Sequence, residues 1–146
     1  MDIKKHITAL GFVPKNGTNG IYHKIYVDYA IEIDFEKQSI NYGSDITAES
    51  KTTQNFSQPE NFVVLECVDR LLTKGYKPQN IVLEKTWPSG HGTSGRLDIC
   101  VNREDGTPYM LIECKTFGKE YNKELARIRK DGGQLFTYFQ LSGSKA

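Results

Sequence analysis

Apolar and polar residues alternate with period two over much of the first third of the chain. In IYHKIYVDYAIEIDFEKQSINYG, residues 21–43, Ile31, Ile33 and Phe35 fall on one side and Glu32, Asp34 and Glu36 on the other. That pattern, carried by β-branched and aromatic residues, predicts hairpin strands with one solvated face. LGF and the NGTNG cluster nearby predict a short helix and then a loop. Asp45 to Gln58 is rich in Thr, Ser, Asn and Gln and reads as a connector. At Pro59 the texture changes. SQPENFVVLECVDRLLTKGY offers Ser57 or Gln58 as a cap, Pro59 near the first turn and Gly75 as the stop. Phe62, Val63, Val64, Leu65, Cys67, Val68, Leu71 and Leu72 cover a wide arc, which predicts a largely buried helix; Glu66, Asp69 and Arg70 lie toward its polar side. IVLEKTW (81–87), RLDICVN (96–102) and YMLIECK (109–115) read as strands. The glycine-bearing loop PSGHGTSG separates the first two, and a turn containing Asp-Gly separates the others. A basic helix and a helix through GGQLFTYFQL complete an order α-β-β-β-α from Pro59. The fold class is therefore α/β (α+β), with a β-rich extension over residues 1–58 and a core over 59–146.

Composition narrows the function classes. A chain of 146 residues is one domain's worth, and its 38% apolar and 25% charged residues are ordinary for a water-soluble protein. No apolar run reaches a membrane span and no signal peptide opens the chain. Cys67, Cys100 and Cys114 form neither a CxxC nor an even framework, which fits a reducing, cytoplasmic setting. The net charge of +1 hides an uneven distribution: residues 115–130 carry six basic groups against two acids. Lys119, Lys123 and Arg127 there are spaced to run along a DNA backbone, or to form an ordinary solvated face.

Two strands carry carboxylates where a core strand would rather have none: Asp98 in RLDICVN and Glu113 in YMLIECK, the latter followed by Lys115. Alternation puts Glu113 and Lys115 on one face, and pairing of the two strands brings Asp98 near Glu113. Two converging carboxylates make a hard oxygen site suited to Mg²⁺ or Mn²⁺, and an adjacent ammonium can balance the charge and orient a water. Those are the demands of phosphodiester hydrolysis. A Glu-x-Lys strand is more often an exposed cross-strand pair. Here Met110, Leu111, Ile112 and Cys114 are apolar on both faces, which predicts a central strand where unpaired charge is costly. His91, Ser94 and Arg96 stand beside the site as phosphate contacts; the alternatives are a loop histidine that is simply solvated, the commoner case, and an Arg96 paired with an acid. No nucleotide-binding GxxxxGK[ST] and no zinc-ligand spacing is present.

Asp98 followed by Glu113-Cys114-Lys115 resembles the D…ExK core of the PD-(D/E)XK nuclease superfamily, and GGQLFTYFQ resembles its QxxxY extension, with Gln134 and Tyr138. GRLDI, LIECK and GGQLFTYFQ in that order are most similar to RecB-like nuclease domains of Type I restriction R subunits and related single-chain restriction–modification enzymes. The resemblance covers about 57–141. It implies a restriction-endonuclease-like core, a mixed central sheet flanked by helices. Asp98 and Glu113 would hold Mg²⁺ (or Mn²⁺), with helical Glu66 as a further ligand. Lys115 would position the attacking water, with Gln134 and Tyr138 in support. Leu97 departs from the proline that names the motif. The implied activity is Mg²⁺-dependent cleavage of double-stranded DNA. The implied partners are an ATP-dependent translocase and methyltransferase or specificity domains or subunits, with this chain an N-terminal piece of a larger restriction protein. A catalytically inactive nuclease-like module for DNA binding or subunit assembly is the alternative.

Overall fold

The computed structural model describes residues 2–88 and 94–114. It is a mixed α and β structure with two four-stranded sheets and two α-helices among those residues. Residues 2–46 and 51–78 form one compact unit; 47–50, 79–88 and 94–114 form the other.

The first unit opens with α1, Ile3–Ala9, capped by the Asp2 carboxylate, which accepts from the Lys5 N–H at 3.1 Å. Four antiparallel strands follow: β1 Val13–Pro14, β2 Ile21–Tyr26, β3 Tyr29–Asp34 and β4 Ser39–Asn41, hydrogen-bonded in that order. Tyr22 pairs with Ile33 and Lys24 with Ile31. The alternation seen in sequence is realised: Ile31 and Ile33 are fully buried while Glu32 and Asp34 stay partly solvated.

The long helix, labelled α2, spans Glu60–Thr73. Its N-cap is Pro59, already in helical conformation, not the expected Ser57 or Gln58, and no side chain caps it. Ser57 is occupied elsewhere, its N–H and hydroxyl both donating to the Asn55 carboxamide oxygen. The entry is fixed instead by Asn61, whose Nδ2 donates to the Thr52 and Asn55 carbonyls at 3.1 and 2.9 Å. An edge-to-face chain of rings, Tyr22–Phe35–Phe56–Phe62, packs the same end. The helix stops as expected at Gly75, whose φ of +99° suits glycine. Tyr76 N–H returns to the Leu71 carbonyl and Gly75 N–H to the Leu72 carbonyl, a Schellman closure.

Asp69 is a correction to the helical wheel. It is buried, not on a solvated arc, because Lys24 Nζ and Tyr26 Oη both donate to its Oδ1 at 2.6 Å. Lys24 also donates to the Leu10 carbonyl at 2.6 Å. Burial, then the Asp69 hydrogen bond, pushes the Tyr26 phenol well above its ordinary value.

The second unit is a mixed sheet in the order β5 (Thr47–Ala48), β6 (Ile81–Pro88), β7 (Ser94–Asn102), β8 (Pro108–Ile112). β5, inside the stretch expected to be mere connector, pairs parallel with β6; the other pairings are antiparallel. Glu49 locks β5 in place: its carboxylate accepts from Thr86 N–H and Oγ1 and lies 3.2 Å from Lys85 Nζ. Ile81, Leu83, Ile99 and Val101 are buried on one face, Val82, Cys100 and Leu111 on the other. Among the described residues β7 lies inside the sheet, with β6 and β8 on either side. Among the described residues β8 is the last strand and is only partly covered. The Asp-Gly turn joins them. Asp105 Oδ1 accepts from Thr107 N–H and Oγ1 at 2.9 and 2.7 Å, and Gly106 takes φ +87°.

Candidate functional site

β7 and β8 carry the two acids on which the nuclease resemblance rests. The pairs Ile99↔Ile112 and Cys100↔Leu111 fix the register, so Asp98 and Glu113 occupy the next opposed positions, side chains on one face. Glu113 lies just beyond the end of β8. There the ladder is continued by a side chain: the Cys114 N–H donates to Asp98 Oδ2 at 2.8 Å. That bond orients the Asp98 carboxylate and favours its ionised form. Asp98 and Glu113 are both half-buried, and one Glu113 carboxylate oxygen, Oε2, is fully covered. Cys114 is buried on the opposite side of the strand, as alternation requires.

A third carboxylate shares this row. The pairs Leu83↔Ile99 and Lys85↔Leu97 bracket Glu84 and Asp98, which makes Glu84 the β6 residue opposite Asp98. Glu84 is 1% exposed and sits at φ +57°, a backbone region that non-glycine residues seldom adopt inside a strand. Arg96 Nη2 donates to Glu84 Oε1 at 2.6 Å, while 53% of the arginine side chain is exposed. Nothing in IVLEKTW marks Glu84 in advance. The sequence signal that comes nearest is Arg96 two residues before Asp98, an expected phosphate contact that the structure pairs with this acid.

These donors suit a hard divalent cation. Mg²⁺ takes one or two carboxylates and fills its remaining positions with water and phosphate oxygen. Asp98 and Glu113 are the residues that would hold it. Among the described residues, no group of three or more His, Cys, Asp or Glu side chains is placed to hold a metal. Glu66 belongs to the first unit, where Arg70 Nη2 lies 3.2 Å and His6 Nε2 3.9 Å from its carboxylate. Lys115, Lys119, Lys123, Arg127, Gln134, Tyr138 and His91 lie outside the described residues, as does the side chain of Ser94. Near the site, burial pushes the Cys100 thiol up to about 11. No described helix is long and apolar enough to cross a membrane.

The chain was compared with known proteins. No match was found among curated proteins. A family model for the Type I restriction enzyme R protein N terminus (HSDR_N) matches residues 59–140, more than half of the chain and a span that includes Asp98, Glu113 and Arg96. By sequence, then, the chain belongs to the family of Type I restriction enzyme R protein N-terminal regions.

Proposed function

We propose that this chain is the DNA-cutting domain of a restriction–modification system, a Mg²⁺-dependent endonuclease of the PD-(D/E)XK type. One observation carries the reading: the β7–β8 register runs up to Ile99 and Ile112, the residues next to Asp98 and Glu113, and the Cys114 amide donates to the Asp98 carboxylate at 2.8 Å. Family membership supports it, because the R protein is the restriction component its name describes.

In this reading Asp98 and Glu113 bind the cation against a scissile phosphate, and the Cys114 N–H keeps the Asp98 carboxylate ionised and aimed. The bound cation supplies Lewis acidity and offsets charge gathering on the phosphate. Lys115 orients a water for in-line attack on phosphorus; the P–O3′ bond breaks and the 5′ side keeps the phosphate. Gln134 and Tyr138 steady Lys115 or the DNA backbone. His91, Ser94, Lys119, Lys123 and Arg127 bind backbone phosphates. Double-stranded DNA is the substrate, and translocation and sequence recognition come from partner domains or subunits.

The test is plasmid nicking by the full chain with Mg²⁺ or Mn²⁺, alongside Asp98→Ala and Lys115→Ala. Cleavage that both substitutions abolish is the expected result. Equal nicking by all three proteins overturns it. Salt-sensitive DNA binding without any cleavage would instead mark a nuclease-like module that does not cut.

A further inference from the structure

Glu84 is unusual on three independent counts. It is fully buried, its backbone is left-handed within a strand, and it is ion-paired to a base that reaches solvent. A non-glycine residue held at such a φ is strained, and a buried ion pair is seldom better for stability than apolar side chains of the same size. Folding alone therefore gives little reason to place this pair at the middle of a sheet. Strain of this kind gathers where a site needs a group held in one place.

The geometry says which group is held. Arg96 and Asp98 are two apart on β7, about 7 Å along the strand. Glu84 lies opposite Asp98 and reaches diagonally to Arg96. The acid end of this pair is sealed in the protein, while the guanidinium end is more than half exposed beside the Asp98–Glu113 row. An arginine has five donors in a planar fork. One acid can fix part of the fork while donors on its exposed side meet an anion.

We infer that Glu84 is a positioning residue: it holds the Arg96 guanidinium as a clamp for a DNA phosphate next to the one bound at Asp98 and Glu113. This rests on the nuclease reading for its location, but it makes a claim about binding that cleavage does not enter. Glu84 touches no substrate. It acts through Arg96, by removing the freedom of a long side chain and by aligning its donors in advance.

The experiment is anisotropy of a fluorescein-labelled duplex titrated with the full-length chain in EDTA, over about 50 to 200 mM salt. The proteins are wild type, E84Q, R96Q and E84Q/R96Q, each checked for a cooperative melt. R96Q is expected to weaken binding about tenfold and to lower the slope of log affinity against log salt by about one, the signature of one lost phosphate contact. E84Q is expected to weaken binding several-fold while keeping the slope, since the charge stays but its aim is lost. E84Q/R96Q is expected to bind like R96Q alone. This double variant leaves no lone buried charge, so it carries the test if a single variant fails to fold. Affinity and slope at wild-type values in E84Q/R96Q overturn the proposal, whatever happens to the melting temperature. Losses from E84Q and R96Q that simply add also overturn it, as does wild-type protein that binds no DNA. Plasmid nicking by the wild type with Mg²⁺ separates the two readings. If wild type fails to cut with Mg²⁺ but the Glu84–Arg96 cycle behaves as stated, the clamp stands and the nuclease reading falls.

Discussion

Asp69 in the first unit and Glu84 in the second are both carboxylates withdrawn from water, and each meets a base at 2.6 Å. Their surroundings differ in every other respect. Asp69 lies on a regular helix. Its partner Lys24 is itself mostly covered and gives a second hydrogen bond to the Leu10 carbonyl, and Tyr26 donates to the same carboxylate oxygen. The network closes on itself. Glu84 lies on a strained residue, and its partner Arg96 turns outward beside two further acids. A network covered throughout pins elements together; one whose base reaches solvent presents a charge. Burial of an acid therefore does not mark a functional site by itself. What separates the two cases is where the counter-ion points and whether the backbone is distorted to put it there.

The sharpest way to break this contrast is to remove Asp69. Asp69→Ala strands the Lys24 ammonium in a covered position, and losing one partner of a buried pair costs about 3–5 kcal/mol. Urea denaturation followed by circular dichroism reads the loss. Lys24→Met with Asp69→Leu removes both charges and is expected to recover part of it, because only the neutral Tyr26 hydroxyl and Leu10 carbonyl then lose a partner. A loss of under 1 kcal/mol in Asp69→Ala would mean that the network is no keystone of the first unit.

The same substitution strategy at Asp98 is expected to give the opposite profile. Asp98→Asn keeps an oxygen to accept the Cys114 N–H, so stability changes by no more than about 1 kcal/mol. Cleavage in Mg²⁺ is expected to fall by on the order of 10²–10³, the scale for losing one electrostatic group at a reacting centre. A variant that is strongly destabilised yet still nicks plasmid would make Asp98 structural, like Asp69.

How much of this was legible in the sequence follows from which forces are local. The α2 arc and its stop at Gly75 were, because apolar spacing and a left-handed glycine are properties of consecutive residues. So was the pairing of the two acid-bearing strands, although it takes the register shift between Val101 and Asn102, beyond the Asp-Gly turn, to bring Asp98 level with Glu113. Asp69 was misplaced on the polar arc because its partners Lys24 and Tyr26 are 45 and 43 residues away. β5 was missed because two residues, Thr47 and Ala48, carry no periodicity; only β6 makes them a strand. Glu84 was passed over because neither burial nor the sign of φ can be read from IVLEKTW. The fold class was within reach from patterning, whereas the Glu84–Arg96 pair emerges only when strands distant in sequence are aligned.

An alkaline titration compares the units more gently. Burial raises both the Tyr26 phenol and the Cys100 thiol, the latter to about 11. A raised acid keeps its proton longer in the folded chain than in the unfolded one. Above the unfolded value the unfolded state binds fewer protons, so stability is intact below that value and falls as pH climbs past it. Cys100 therefore contributes a decline from about pH 9 to about 11, and Tyr26 one that begins near pH 10, each at most about 1.4 kcal/mol per pH unit. Cys100→Val is expected to flatten the first limb and Tyr26→Phe the second. Equal slopes in all three proteins, measured by urea midpoint against pH, would mean that neither proton is held by folding.

The smallest expected effects lie in the two hairpin turns, which pose the same conformational problem and solve it unequally. In the β7–β8 turn the positive φ belongs to Gly106, at +87°. In the β2–β3 turn it belongs to Val27, at +23°, a β-branched residue that is fully exposed. Branching at Cβ makes a positive φ most costly, while asparagine tolerates it. Val27→Asn is therefore expected to stabilise the chain by about 0.5–1 kcal/mol, with no packing lost because none is present. Gly106→Ala is expected to do the reverse by about 1 kcal/mol, and here the cause is isolated: nothing lies within 4 Å of the added Cβ, so only backbone strain remains. Thermal melts of the two variants measure both effects. If Val27→Asn lowers the melting temperature, the exposed valine is held by something other than its turn.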